Sequence, residues 1–179
     1  MPFEVEWEGQ KYRLSESGFY NARTFLKPPE AVHQHLKSSY ARQLEHALED
    51  ELNPAILMKY SGIAEMLNYL DLAHKLVERI FVFQPRNGRA VARASSILRE
   101  KGQPEKALAV TNRIPEDQQD HVVLTTRAAA LCDLERWYEA DKVIRRALAR
   151  LRGRPKIEAT EAWSVYNRIP RHISARWPD

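Results

Sequence analysis

The chain has one cysteine, Cys132, in 179 residues, so neither an internal disulfide nor a thiolate metal cluster can form. Such sparing use of cysteine fits a reducing compartment. Glycine is also scarce: six residues, none clustered, leave no phosphate-cradling loop. No stretch reaches the roughly 18 consecutive apolar residues that a bilayer span requires. The N-terminal Met1-Pro2-Phe3-Glu4-Val5-Glu6 carries early acids where a secretory leader would be apolar. These absences lead to the expectation of a cytoplasmic protein without membrane contact.

Groupings that bear chemistry are missing too. His33 and His35 stand two apart, a spacing that points them to different sides of a helix, and no other pair of the six histidines has zinc-ligand spacing. Cys132 falls in an expected helix with no histidine near it in sequence, which suits packing better than nucleophilic chemistry. The expectation is therefore no metal, no cofactor and no enzyme.

What is present is ordinary globular material, 44% hydrophobic and 29% charged, with a net charge of +4. A mildly basic balance permits an acidic peptide or nucleic acid as partner without requiring either. Residues 3–14 have the pattern of a β-hairpin: Val5 and Trp7 alternate with acids, Glu8-Gly9 supplies a turn, and Tyr12 and Leu14 alternate with Lys11 and Arg13. Trp7 and Tyr12 are expected to pack on the following helix, the alternative being a separate contact surface or dimer edge. Residues 15–27 show no period and are assigned to a loop.

From Pro28-Pro29 a helix is expected to about Leu52, because Val32, Leu36, Tyr40, Leu44 and Leu48 recur every four residues. Asn53-Pro54 pairs an N-cap with a first-turn proline and opens the next helix. Breaks follow at Pro85 with Asn87-Gly88, at Gly102 with Pro104, at Pro115, and at Gly153 with Pro155. Helices of ordinary length fit between them. Three segments result: a hairpin plus long helix over 1–52, helical hairpins over 53–153, and a capping helix with a tail over 154–179.

The hairpins repeat. Ala73, Ala107 and Ala140 each sit early in the second helix of a pair, 34 and then 33 residues apart. In the helices before them Leu57, Val91 and Leu124 align, followed by small Ser61, Ser95 and Ala128 and by apolar Ala64, Leu98 and Leu131. A small residue lets two helices approach closely, and apolar residues a turn away fill the groove. Gly102-Gln103-Pro104-Glu105-Lys106-Ala107-Leu108 is the most characteristic stretch.

This arrangement resembles the tetratricopeptide repeat family, with units at 54–87, 88–120 and 121–153. It departs from the family in lacking the early tryptophan, in placing Thr111 where an aromatic is usual, and in ending a helix early at Pro115. The fold class implied is a mostly α solenoid of helical hairpins, with an N-terminal β-hairpin and helix and a C-terminal cap. Ala159, Ala162, Trp163 and Tyr166 make the apolar stripe that such a cap needs.

The resemblance also implies function. First helices of the family line a concave face that holds extended peptides, so the chain is expected to be a scaffold or adaptor for a partner protein or acidic peptide. The residues carried to that face are Arg89, Arg93, Ser96 and Arg99 in the second unit, and Thr125, Ala129 and Cys132 in the third. Met58, Gly62 and Glu65 match them in the first. Arg89 and Arg93 resemble the basic pair of the family's carboxylate clamps, although the asparagines that complete a clamp are absent.

A second basic set, Lys142, Arg145, Arg146, Arg150, Arg152, Arg154 and Lys156, suggests an RNA- or ribosome-associated protein that touches phosphates. Against it, Lys142, Arg145, Arg146 and Arg150 are simply the polar face of a helix whose buried stripe is Ala140, Val143, Ile144, Ala147, Leu148 and Leu151, and no aromatics are interleaved for base stacking. A third reading, a chaperone for secretion or assembly partners, rests on similarity of layout to three-unit bacterial chaperones, whose usual acidity is not matched.

Overall fold

The structure, a computed structural model, describes residues 3–15, 18–21 and 29–174. The side chains of Val5, Arg13, Leu14, Leu36 and Glu158, the parts of the 15–27 loop assignment at 16–17 and 22–27, the start at Pro28 and the tail from 175 lie outside that description. The chain is mostly helical and divides into two compact units, Met1–Phe83 and Gln84–Asp179. The first of the three expected hairpins thus belongs with the N-terminal segment. The other two belong with the C-terminal one.

The N-terminal unit begins with strands β1 (Phe3–Trp7), β2 (Gln10–Ser15) and β3 (Gly18–Asn21), an antiparallel sheet in the order β1-β2-β3. Glu8 and Gly9 turn between the first two with φ of 49° and 72°, the left-handed pair of a tight hairpin turn. The register sets Val5 opposite Tyr12 and Trp7 opposite Gln10. The third strand corrects the loop assignment over Gly18–Asn21, with Tyr12 paired to Asn21 and Leu14 to Phe19. Four residues are too few to display a period of two.

Three helices complete this unit: α1 (Glu30–Asp50), α2 (Pro54–Met66) and α3 (Leu70–Phe83). Val32, Tyr40 and Leu44 of the four-residue stripe are buried. Trp7 meets the His35 ring of α1 at 4.9 Å, as expected, and Tyr12 is buried. The acids that close α1 oppose its dipole. Arg79 of α3 offsets this, donating to the carbonyl oxygens of Glu49 (2.9 Å) and Glu51 (3.2 Å) that the helix end leaves unpaired.

The C-terminal unit holds α4 (Gly88–Glu100), α5 (Pro104–Thr111), a single 3-10 turn (Glu116–Gln118), α6 (His121–Asp133), α7 (Trp137–Arg150), α8 (Lys156–Tyr166) and the short α9 (Arg171–Ser174). Here α4 packs on α5 and α6, α6 on α7 and α8, and α7 on α8 and α9. The buried stripe of α8 is Ala159, Ala162 and Val165, continued by Ile169 and Ile173.

Three hairpins, α2–α3, α4–α5 and α6–α7, share one local geometry. Asn53, Asn87 and Asp120 each cap the first helix, their side chains accepting from Ala55, Ala90 and Val123 backbone N–H at 2.9, 3.0 and 2.9 Å. Asn68, Gly102 and Glu135 then turn the chain with φ of 61°, 68° and 57°. In each turn the next N–H reaches back five residues: Tyr69 to Ala64, Gln103 to Leu98, Arg136 to Leu131, all at 2.8–2.9 Å. This is the Schellman closure of a helix C-terminus. Ala73, Ala107 and Ala140 are fully buried, as are Leu57, Val91 and Leu124 and the small Ser61, Ser95 and Ala128. Ser61 Oγ donates to the Ala73 carbonyl at 3.0 Å, a direct link between the two helices of the first hairpin.

The early end of α5 is compensated locally. Pro115 stops the helix, and the carbonyls of Thr111 and Ile114 lose helical partners. Buried Gln119 donates its Nε2 to both, at 3.2 and 3.0 Å.

Candidate functional site

Arg89 is exposed on α4, and Arg93 and Ser96 are half-buried on the same helix. Their spacing of four and three keeps them on one stripe. The rest of the expected inner wall lies differently. Thr125 is buried and its hydroxyl donates to the His121 carbonyl at 2.8 Å within its own helix, so it is withdrawn from the surface. Ala129 and Cys132 are buried against α8, and Gly62 is buried in the N-terminal unit; Met58 and Glu65 are half-buried. Burial pushes the Cys132 thiol up from its ordinary value, with the nearby Asp133 adding to the shift and Arg168 and Arg99 opposing it. A thiol so placed is a poor nucleophile.

Arg99 belongs to a lateral ladder. Its Nε donates to Asp133 Oδ2 and its Nη2 reaches Asp133 Oδ1 at 3.4 Å, while Arg168 Nη2 donates to the same Oδ1. These residues stand 34 and 35 apart, close to the C-terminal ends of α4, α6 and α8. Burial alone would raise the Asp133 carboxyl, but hydrogen bonds and charge from Arg99 and Arg168 outweigh it and hold the group below the usual carboxylate range. Arg99 is a tie between helices more than a docking group.

The second basic set divides as well. Lys142 and Arg150 are exposed, and Arg150 donates to the Asp117 carbonyl at 3.3 Å. Arg146 donates to the Glu116 carboxylate, tying α7 to the 3-10 turn. Arg145 donates to Asp141 Oδ2 (3.0 Å), to the Tyr166 hydroxyl (3.3 Å) and to the Ser174 carbonyl (2.6 Å), and it lies 5.5 Å from the Tyr166 ring centroid. Asp141 is buried, so this pairing satisfies one of its oxygens and fixes α7 to α8 and α9 at once.

Between α7 and α8 runs a groove of about 610 Å³. Its floor is apolar, from Leu148, Leu151 and Ala159, and one wall carries Trp163 and Tyr166. Cations line the remainder: Arg145, Arg146, Arg152, Arg154 and Lys156, with no carboxylate among the described lining residues. Trp163 is 50% exposed and meets Tyr166 edge-on, centroids 5.5 Å apart and planes at 89°. Leaving half an indole in water forgoes roughly 2–3 kcal/mol of burial.

The aromatics judged missing from the basic segment are therefore supplied by the next helix. By spacing Trp163 and Tyr166 belong with the apolar stripe of α8, whereas the buried positions run Ala159, Ala162, Val165 and the indole sits at their edge. Across 142–157 the sequence has seven cations and no acid, a signal that was visible but lacked its aromatic partner. Among the described residues no cluster of three or more metal-ligating side chains occurs, and no helix is long and apolar enough to cross a membrane. Compared with protein-family models, curated proteins and solved structures, the chain matches none.

Proposed function

We propose that the chain is a non-catalytic interaction module of tetratricopeptide-like hairpins that docks an extended anionic partner in the groove between α7 and α8. The observation that carries this reading is the groove itself: an apolar floor, an exposed indole and the exposed cations Arg152, Arg154 and Lys156, beside Arg145 and Arg146, which Asp141 and Glu116 hold. Guanidinium forks suit carboxylate and phosphate oxygens because they donate in pairs. Support for the hairpin family comes from the recurrence of cap, left-handed turn and buried alanine at the same spacing in three hairpins. Support for a docking role comes from the groups present in the groove, which bind charge and stack.

The test is retention on an immobilised polyanion across a salt gradient. Wild type should elute at higher salt than a variant carrying Arg152→Glu and Lys156→Glu, two exposed lining positions, with helicity unchanged by circular dichroism. Equal elution would remove the groove from the account.

A second reading, an adaptor for an acidic peptide, keeps support from exposed Arg89 on the stripe with Arg93 and Ser96. Arg89→Glu with Arg93→Glu should then weaken capture of an acidic peptide at least tenfold and leave polyanion retention by the groove as it was.

A further inference from the structure

We infer that the occupant of the α7–α8 groove is a single-stranded nucleic acid, with a base stacked on Trp163 and its phosphates against Arg152, Arg154 and Lys156. The inference rests on the docking reading above and narrows it to one class of partner.

Three features of the groove select this class. The first is the indole. The carboxylates of an acidic peptide gain nothing from an aromatic face, whose π-cloud repels them, whereas every nucleobase has a π-face to lay on it. Trp163 is half exposed and sits on the groove wall beside the cations, with Tyr166 edge-on behind it. The second is the order of parts. Arg152 and Arg154 lie on the segment joining α7 to α8 and Lys156 opens α8, all three exposed, and Trp163 lies two turns into α8. A strand running along that segment meets charge and then an aromatic platform, the combination used by proteins that hold single strands without reading sequence. The third is the division of labour among the cations. Arg145 is committed to Asp141, Tyr166 and Ser174 and holds the platform, so the ring behind Trp163 is braced before any ligand arrives.

A duplex hides its base faces by stacking them, so it can offer this groove only phosphates. Discrimination between single strand and duplex is thus built into the geometry. Stacking is indifferent to the sugar, so ribo- and deoxyribo-strands should bind alike.

The experiment is a fluorescence-anisotropy titration of the full chain with labelled oligouridylate and oligothymidylate of about 12 nucleotides. Duplex DNA, polyphosphate and polyglutamate serve as competitors. Trp163→Leu should weaken single-strand binding by roughly tenfold to hundredfold, the range expected for one lost stacking contact. Trp163→Phe, which keeps a π-face, should restore most of it. The salt slope should fall in Arg152→Glu but stay the same in Trp163→Leu. If Trp163→Leu binds like wild type while the charge reversal does not, or if polyglutamate or polyphosphate competes as well as the oligonucleotide, the groove is an anion site and the nucleic-acid assignment fails. If no polyanion binds at low salt, the docking reading fails with it.

Discussion

Arg99 near the end of α4 and Asp133 at the end of α6 are 34 residues apart and joined by an ion pair, one repeat length bridged by one side-chain contact. Arg168 approaches the same carboxylate from beyond α8, so a single acid ties the ends of three neighbouring helices. Because the folded-state pKa of Asp133 is lowered, its contribution to stability is full above the unfolded value near 3.9 and is lost as pH falls through the folded value. Thermal melts from pH 6 to pH 3 should show a steeper loss below about pH 4 for wild type than for Asp133→Asn. Identical acid limbs would mean that the ladder carries no stability.

The three hairpin turns offer a matched pair of tests. Glu135 holds φ of 57°, where a side chain is strained by about 1–2 kcal/mol, and Gly102 occupies the same turn position with φ of 68°. A Cβ at Gly102 would meet nothing within 4 Å, so the cost of adding one is conformational alone. Gly102→Ala should therefore destabilise by about 1 kcal/mol and Glu135→Gly should stabilise by up to about that amount, in urea titrations. Changes of the opposite sign would show that these turns are not equivalent.

Arg145→Ala removes the partner of buried Asp141. Such an uncompensated charge costs about 3–5 kcal/mol, far more than the pair itself contributes against an apolar replacement. Arg145→Met combined with Asp141→Leu should recover most of the loss, since both the charge and its need for a partner go together. If the double variant is as unstable as the single one, the network to Tyr166 and Ser174, and not the buried charge, is what matters.

Gln119→Ala should cost about 1–3 kcal/mol by leaving the Ile114 carbonyl without its side-chain donor and the Thr111 carbonyl with only the long Ile114 N–H contact of 3.4 Å. Gln119→Glu, which keeps the shape but places a charge beside two carbonyls, should cost more. Equal stability of wild type and both variants would remove Gln119 from the account of how the short α5 is accommodated.

Much of the helical order was legible because punctuation is local. Asn53-Pro54, Asn87-Gly88 and Gly102 with Pro104 announce caps and turns from neighbouring residues alone, and the alanine spacing announces close helix contacts. Less local features were hidden. The strand Gly18–Asn21 depends on a partner strand for its definition. Arg99 looked like a free cation because its acid lies a full repeat away. Thr125 looked accessible because family geometry, not its own surroundings, placed it. Trp163 looked buried because a helical stripe three residues wide and one four residues wide differ only by which side the neighbouring helix approaches.

The groove's claim on a ligand is tested most directly by photo-crosslinking a 4-thiouridine strand to the full chain and mapping the adducts by mass spectrometry. The account predicts adducts on the peptides spanning 152–166, with Trp163 the principal site and with polyphosphate unable to suppress them fully. Adducts confined to α4 or to the N-terminal sheet, or none at saturating strand, would contradict it.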